Sequence, residues 1–196
     1  MGVDKTQLPF GDEPLLSRVV RIVSSAVAPV VVVAQPTQAL PALDPRICVR
    51  TDRIARRGPL EGLSVGLAAM QQLGAERAFV CAGDMPLLQS RTIRQLVEFS
   101  AEHELTALEV NGFPHPLCAV YCTRLLPQIE ALLADPTAGP SRLCMSPRTR
   151  RIDPRDFDLP EVALNGLLSI NTIEDYKAAL TAAGLTPPDP ELGSEH

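Results

Sequence analysis

Two short apolar runs constrain this chain more than any other feature. Residues 30–33 read Val-Val-Val-Val and residues 78–82 read Ala-Phe-Val-Cys-Ala. Runs this brief and this uniformly apolar suit strands covered on both faces, as in a parallel sheet. Between them the period changes. Leu15, Leu16, Val19, Val20, Val23 and Val27 recur at the spacing of one helix face, and the stripe stops at Pro29. Strands alternating with amphipathic helices predict an α/β domain of three layers, with a mostly parallel central sheet between helices.

The remaining segments extend that pattern. Residues 47–49 read as a short strand, and Gly58-Pro59 opens a helix that ends near Gly74, with proline at its first position. Ser90 reads as the cap of a helix reaching about residue 103. Strands over 106–110 and 117–121 flank Asn111-Gly112, a dipeptide that favours a two-residue hairpin turn, so this pair is expected to be antiparallel. A helix over 124–134 follows. Residues 136–160, rich in proline and arginine, show no assignable period. Thr172 with Asp175 three residues on is a capping box for a last helix. Residues 1–185 form one domain, and 186–196 have the composition of a disordered tail.

Bulk properties exclude several classes. A chain of 196 residues buries a core without covalent staples. Its net charge of −5 argues against nucleic acid as a partner, because phosphate recognition needs a basic face. No run approaches the ~18 apolar residues of a membrane span, so no membrane partner is expected. The five cysteines are odd in number, and Cys118 and Cys122, four apart, have no second pair at zinc-site spacing. They read as small hydrophobes in a reducing compartment, which points to a cytoplasmic location.

Four places carry candidate chemistry. Asp84 follows an apolar strand and precedes Pro86, at the sheet edge where α/β proteins gather ligands. A carboxylate there suits Mg²⁺ bearing phosphate oxygens, though a loop aspartate also caps helices. Gly58, at a helix entrance, lets backbone N–H groups approach a ligand, yet Gly-Pro is also ordinary punctuation. Asp52 lies in a loop with Arg46, Arg50, Arg53, Arg56 and Arg57, whose charges suit phosphates or simply a solvated basic face. Lys5 offers a compact positive charge for a developing pyrophosphate, or is a surface residue. His115 reads as packing and receives no acid–base role.

Taken in order, these segments resemble the molybdenum cofactor guanylyltransferase family of MobA-like nucleotidyltransferases. The resemblance runs through Met1-Gly2-Val3-Asp4-Lys5, Phe10-Gly11 with Pro14-Leu15-Leu16, Asp52, and Gly58-Pro59-Leu60-Glu61-Gly62-Leu63. It continues through Cys81-Ala82-Gly83-Asp84-Met85-Pro86-Leu87-Leu88, Pro114-His115-Pro116-Leu117 and Ser169-Ile170-Asn171-Thr172-Ile173-Glu174-Asp175, and so covers the chain to about Leu180. It implies a Rossmann-like nucleotidyltransferase fold, GTP and molybdopterin as substrates, Mg²⁺ as cofactor, and a molybdoenzyme or cofactor-delivery protein as a further partner. By the same resemblance Lys5 contacts the triphosphate and Asp84 binds GTP and the metal, these two being the catalytic pair. Asp52 and Gly58 lie in the GTP site, and Asn171 near the metal and second substrate. Met85 after Asp84 is similar to the guanylyl branch; the cytidylyl branch reads Asp-Gln-Pro there.

Three departures from the family pattern accompany it. Its Leu-Ala-Gly-Gly-x-x-x-Arg strand and loop would precede Met1, which reads as an internal methionine of the motif, so the first strand is expected to be missing. A partner chain or the proline-rich segments are the alternatives for filling that place. Val33 stands where the family often has Asn, and Ser169 and Ile173 replace the Asn and Pro of its Asn-x-Asn-Thr-Pro run. The readings left open beside guanylyl transfer are transfer of another nucleotide (to molybdopterin or a sugar 1-phosphate) and a catalytically impaired nucleotide-binding relative or accessory protein.

Overall fold

The stripe of leucines and valines becomes a helix, which ends at Ser24 short of Val27, and the two apolar runs become strands in which only Val32, Ala34 and Ala78 are buried. The computed structural model describes residues 5–55 and 57–187. The motif residues Met1-Gly2-Val3-Asp4, Arg56 and residues 188–196 of the expected tail lie outside the described residues. After a 3-10 turn at Lys5–Gln7, β1 (Pro9–Phe10) and β2 (Glu13–Pro14) form a small hairpin leading into α1 (Leu15–Ser24). Then come β3 (Val31–Ala34), β4 (Cys48–Thr51), α2 (Pro59–Gln72), β5 (Arg77–Cys81) and α3 (Ser90–Phe99). β6 (Leu105–Val110), β7 (Phe113–Cys122), α4 (Leu126–Leu132), α5 (Ser141–Cys144), β8 (Thr149–Ile152), α6 (Pro160–Asn165) and α7 (Ile173–Ala182) complete the order.

β7 shows why the layers form. Its side chains alternate between two cores, as strand geometry requires. Cys118 and Val120 join Phe10 of β1 and Leu15, Val19, Ile93, Leu96 and Leu180 from α1, α3 and α7. Ala119 and Tyr121 join Leu60, Leu63, Leu67, Ile129 and Leu143, from α2, α4 and α5. The α/β expectation of helices on both faces of a sheet therefore holds. The sheet is mixed. β3 and β4 pair in parallel, as do β6 and β8, whereas β7 runs antiparallel to both β5 and β6. The antiparallel pair turns at Asn111-Gly112, where both residues have positive φ (52° and 80°), the conformation the dipeptide favours.

Strands β3 and β4 form one hydrogen-bonded sheet and β5-β7-β6-β8 another; no ladder joins β3 to β5 among the described residues. Between these two strands lies an apolar cavity of about 420 Å³, roofed by α1 and floored by α2. Two expectations need correction. Ser90 is the first helical residue rather than the cap: Gln89 holds the extended cap position, without a side-chain bond. The helix it starts also ends at Phe99, short of residue 103, where Ser100 closes it and donates to the Val97 carbonyl. At α7 the capping box is present in both directions. No helix of the described residues is long and apolar enough to cross a membrane. All five cysteines are free thiols, with Cys118, Cys122 and Cys144 buried.

Candidate active site

Asp84 owes its position to the turn that follows β5. Met85 and Leu88 are buried on either side of Pro86, anchoring the turn in the core. Arg18 on α1 donates to the Pro86 carbonyl at 2.8 Å. At Gly83 the backbone passes so close to α1 that an added Cβ would lie 3.1 Å from Leu16 Cδ1. The Asp84 carbonyl accepts from the Ile170 N–H at 3.0 Å, which brings the segment before α7 alongside the end of β5.

That segment is itself held rigid. The N–H groups of Asn171 and Thr172 both donate to Asp175 Oδ2, at 2.9 and 2.8 Å, and Asp175 N–H donates back to Thr172 Oγ1. The Asn171 side chain is thereby placed to accept a 3.1 Å hydrogen bond from Lys5 Nζ, across 166 residues of sequence. Lys5, Asp84 and Asn171 thus share one corner of the molecule. Burial pushes the Asp84 carboxyl above the usual carboxylate range, while the nearby Lys5 charge and the Ser169 hydroxyl pull in the opposite direction. Asp84 Oδ1 is buried and has no hydrogen-bond partner among the described residues.

A second corner lies at the carboxyl end of β4. The Asp52 N–H donates to the Ala34 carbonyl at 2.9 Å, extending the β3–β4 pairing, and Asp52 Oδ1 is likewise buried without a partner. Its carboxyl is pushed up by burial and then by the adjacent Glu61 charge. Gly58 caps α2 at φ +88°, a conformation that side-chain-bearing residues rarely adopt. Gly62, one turn into α2, would place a Cβ 3.6 Å from Asp52 Oδ1. Asp52 and Gly58 therefore stand at the α2 entrance, and the apolar cavity, lined by Gly62 on one side and Gly83 on the other, lies between this corner and Asp84.

The arginines on and around β4 do not converge on an anion. Arg46 pairs with Asp44, and Arg50 donates to its neighbour's carbonyl at Val49. Arg53 binds Glu61 and Ser64, and Arg57 donates to the carbonyls of Leu133, Asp135 and Ala138 beyond α4. Each described arginine already has a partner, so their number is no measure of phosphate affinity.

Glu61 was not legible as a site residue. It is fully buried, with Oε1 held by the Arg53 backbone and guanidinium and Oε2 unpartnered. Its sequence signal was an acid among the mostly apolar residues of the buried face of α2. Ser169, beside Asp84, read only as a departure from the family pattern. His115 is half-buried on β7 opposite Leu108, and burial lowers its basicity.

No three of the described His, Cys, Asp and Glu residues cluster to cage a metal. The orphaned Asp84 oxygen nevertheless fits a hard divalent cation that takes one carboxylate and completes its shell with substrate phosphates and water.

The fold, a sheet layered between helices, is that of Rossmann-like nucleotidyltransferases. It is shared with molybdopterin-guanine dinucleotide biosynthesis protein A from Archaeoglobus fulgidus (TM-score 0.72, 18% identity, 93% of this chain and 92% of that one). A Mycobacterium tuberculosis protein crystallised in complex with manganese superimposes with a TM-score of 0.62 at 19% identity, over 91% of each chain. Residues 1–149 match the MobA-like NTP transferase domain, and the chain belongs to that family. It is 36% identical over 185 residues to a probable molybdenum cofactor guanylyltransferase of Mycobacterium avium, covering 93% of this chain and 89% of the relative.

Proposed function

We propose that this chain is a molybdenum cofactor guanylyltransferase, moving GMP from GTP to molybdopterin-bound molybdenum and releasing pyrophosphate. Family membership and the relatives' names support the reaction class. The observation that carries the assignment to residues is the corner where Lys5 reaches Asn171 beside the orphaned Asp84 oxygen.

The chemistry asks for positioning and charge neutralisation rather than covalent help. A terminal phosphate oxygen of the pterin attacks the α-phosphorus of GTP, the α–β bridging bond breaks, and its electron pair leaves with pyrophosphate. Lys5 supplies positive charge to the departing phosphates, held in place by Asn171. Asp84, fixed by the buried turn, is the residue that would hold a divalent cation, which we take to be Mg²⁺; the manganese-bound structural relative accords with divalent metal use. When bound, that cation neutralises triphosphate charge. Asp52 and Gly58 flank the entrance of α2, where exposed N–H groups and a positive helix end suit the nucleotide. A molybdoenzyme or delivery protein would then take up the product.

The unfilled cavity between β3 and β5 favours a second reading, nucleotide binding without turnover. One experiment separates them: Mg²⁺-dependent binding of GTP and of CTP, with pyrophosphate release in the presence of molybdopterin, for the wild type and Asp84→Ala. The transferase reading expects GTP-selective binding and a loss of about 10²–10³-fold in pyrophosphate release on substitution. Binding without release in the wild type supports the second reading, and equal binding by both proteins removes Asp84 from its role.

A further inference from the structure

We propose, resting on the transferase reading above, that Phe113 is a specificity-determining residue for the acceptor. Its ring, carried on the β6–β7 hairpin at the edge that holds Asp84, stacks on the flat pterin of the substrate whose phosphate attacks GTP. Phe113 is 74% exposed, whereas of the other six aromatic side chains four are buried and two are half-buried. One exposed hydrophobe is ordinary, and its place is what distinguishes this one.

β5 and β6 both run antiparallel to β7, so they are parallel to each other. The turn at Asn111-Gly112 therefore lies at the same end of the sheet as Asp84. In the hairpin Val110 pairs with Phe113 and Leu108 with His115. Paired residues share one side of a sheet and sides alternate along a strand, so all four project on the side of Leu108. Leu108 is packed in one core with Ile170, whose N–H meets the Asp84 carbonyl. Phe113 thus stands on the side of the sheet where residues 169–171 run. Leu168 and Ile173, exposed on either side of that segment, add apolar surface beside the polar corner of Lys5, Asp84 and Asn171.

The strand order leaves each substrate its own side of β5. Asp52 and Gly58, the proposed neighbours of the nucleotide, lie across the cavity towards β3 and β4, while β7 and β6 lie on the other side. The hairpin is two strand spacings from β5, about 10 Å. An acceptor whose phosphate sits at Asp84 extends its pterin over that interval. The platform is also held still. Asn111 and Gly112 both take positive φ in a two-residue turn, and Phe113 is already part of β7, paired with Val110. A ring fixed in this way gives up little entropy when it stacks.

Free 6-hydroxymethylpterin, followed by the anisotropy of its own fluorescence, tests this without GTP, so failure here is separate from failure of GMP transfer. The wild type is expected to bind the probe and Phe113→Tyr to keep that binding. Phe113→Ala should weaken it by at least about fivefold, the low end for an aromatic stacked on a base. Melting temperatures should stay near wild type, because the ring is exposed. The chain has no tryptophan, so Phe113→Trp adds a single emitter, whose emission should fall as the probe saturates. Met145→Trp, at an exposed position that closes α5, should not respond. In turnover, Phe113→Ala should raise KM for molybdopterin and leave KM for GTP unchanged. Absence of probe binding by the wild type, equal binding by Phe113→Ala, equal quenching of both tryptophans, or a rise in KM for GTP alone overturns the assignment.

Discussion

Two corners of this molecule each place a half-buried aspartate at the carboxyl end of a strand, Asp84 after β5 and Asp52 after β4. Each leaves one carboxylate oxygen without a partner, and in each burial raises the carboxyl's affinity for its proton. The neighbours differ. Beside Asp84 the cation is Lys5, whose hydrogen bond goes to the neutral amide of Asn171. Beside Asp52 the cation is Arg53, locked to buried Glu61 at 2.9 Å and to Ser64 at 2.8 Å, with Glu130 at 3.5 Å. A guanidinium hydrogen-bonded to an acid and paired with a second has little charge left to offer a phosphate, whereas the Lys5 ammonium hydrogen-bonds an amide and feels the Asp84 and Asp175 carboxylates only through space. The corner with one lysine is therefore expected to receive an anion better than the described arginines Arg46, Arg50, Arg53 and Arg57. Charge counted along a sequence says less than charge counted after its partners are known.

The comparison breaks if the two cations prove interchangeable. Lys5→Ala is expected to lower the rate of pyrophosphate release by about 10²-fold, the usual loss when one preorganised stabiliser of developing negative charge is removed. Its melting temperature should stay close to wild type, because Lys5 lies on the rim of the fold. Arg53→Ala should do the reverse. It leaves the fully buried Glu61 carboxylate without its guanidinium, a loss of about 1–3 kcal/mol in urea unfolding after allowance for the half-exposed arginine. The folded fraction should keep its turnover number, and Glu61→Gln in the Arg53→Ala background should recover part of the lost stability. Equal losses of turnover in Lys5→Ala and Arg53→Ala would erase the distinction between the corners.

Much of the framework was legible because local signals agreed with the fold. The α1 stripe, the Asn111-Gly112 turn and the Thr172–Asp175 box each combine a period or a dipeptide with a backbone requirement. Residues 136–160 were illegible for a physical reason. α5 and β8 are four residues each, too short to show a period, and depend on tertiary contacts such as Arg142 to Asp135 and Arg151 to Glu109. The site divides in the same way. Asp84 was visible from an apolar strand ending in a stiff turn. The approach of Lys5 to Asn171 had no local signal, since 166 residues separate them, and only family resemblance joined them. The role of Glu61 is not local, because its buried charge makes sense only beside Arg53, which arrives from another segment.

The smallest expected effect sharpens the comparison by its sign. A folded-state pKa raised above the ordinary aspartate value means that ionised Asp84 costs the fold stability at neutral pH, a cost absent once the pH falls below about 3.8, where the carboxyl is protonated in both states. Asp84→Asn removes the charge and keeps the shape. Its melting temperature should therefore exceed wild type at pH 7, with each kcal/mol of relief raising it by roughly 2–4 °C, and the gap should close as pH falls towards 4. With saturating Mg²⁺ and GTP the order should reverse, since only the wild type gains from a ligand that binds the folded state. Calorimetric melting at pH 4, 5.5 and 7, with and without those ligands, checks both signs. A variant less stable than wild type at pH 7 without ligands would mean that Asp84 serves the fold, and the contrast with Arg53 would fail at its strongest point.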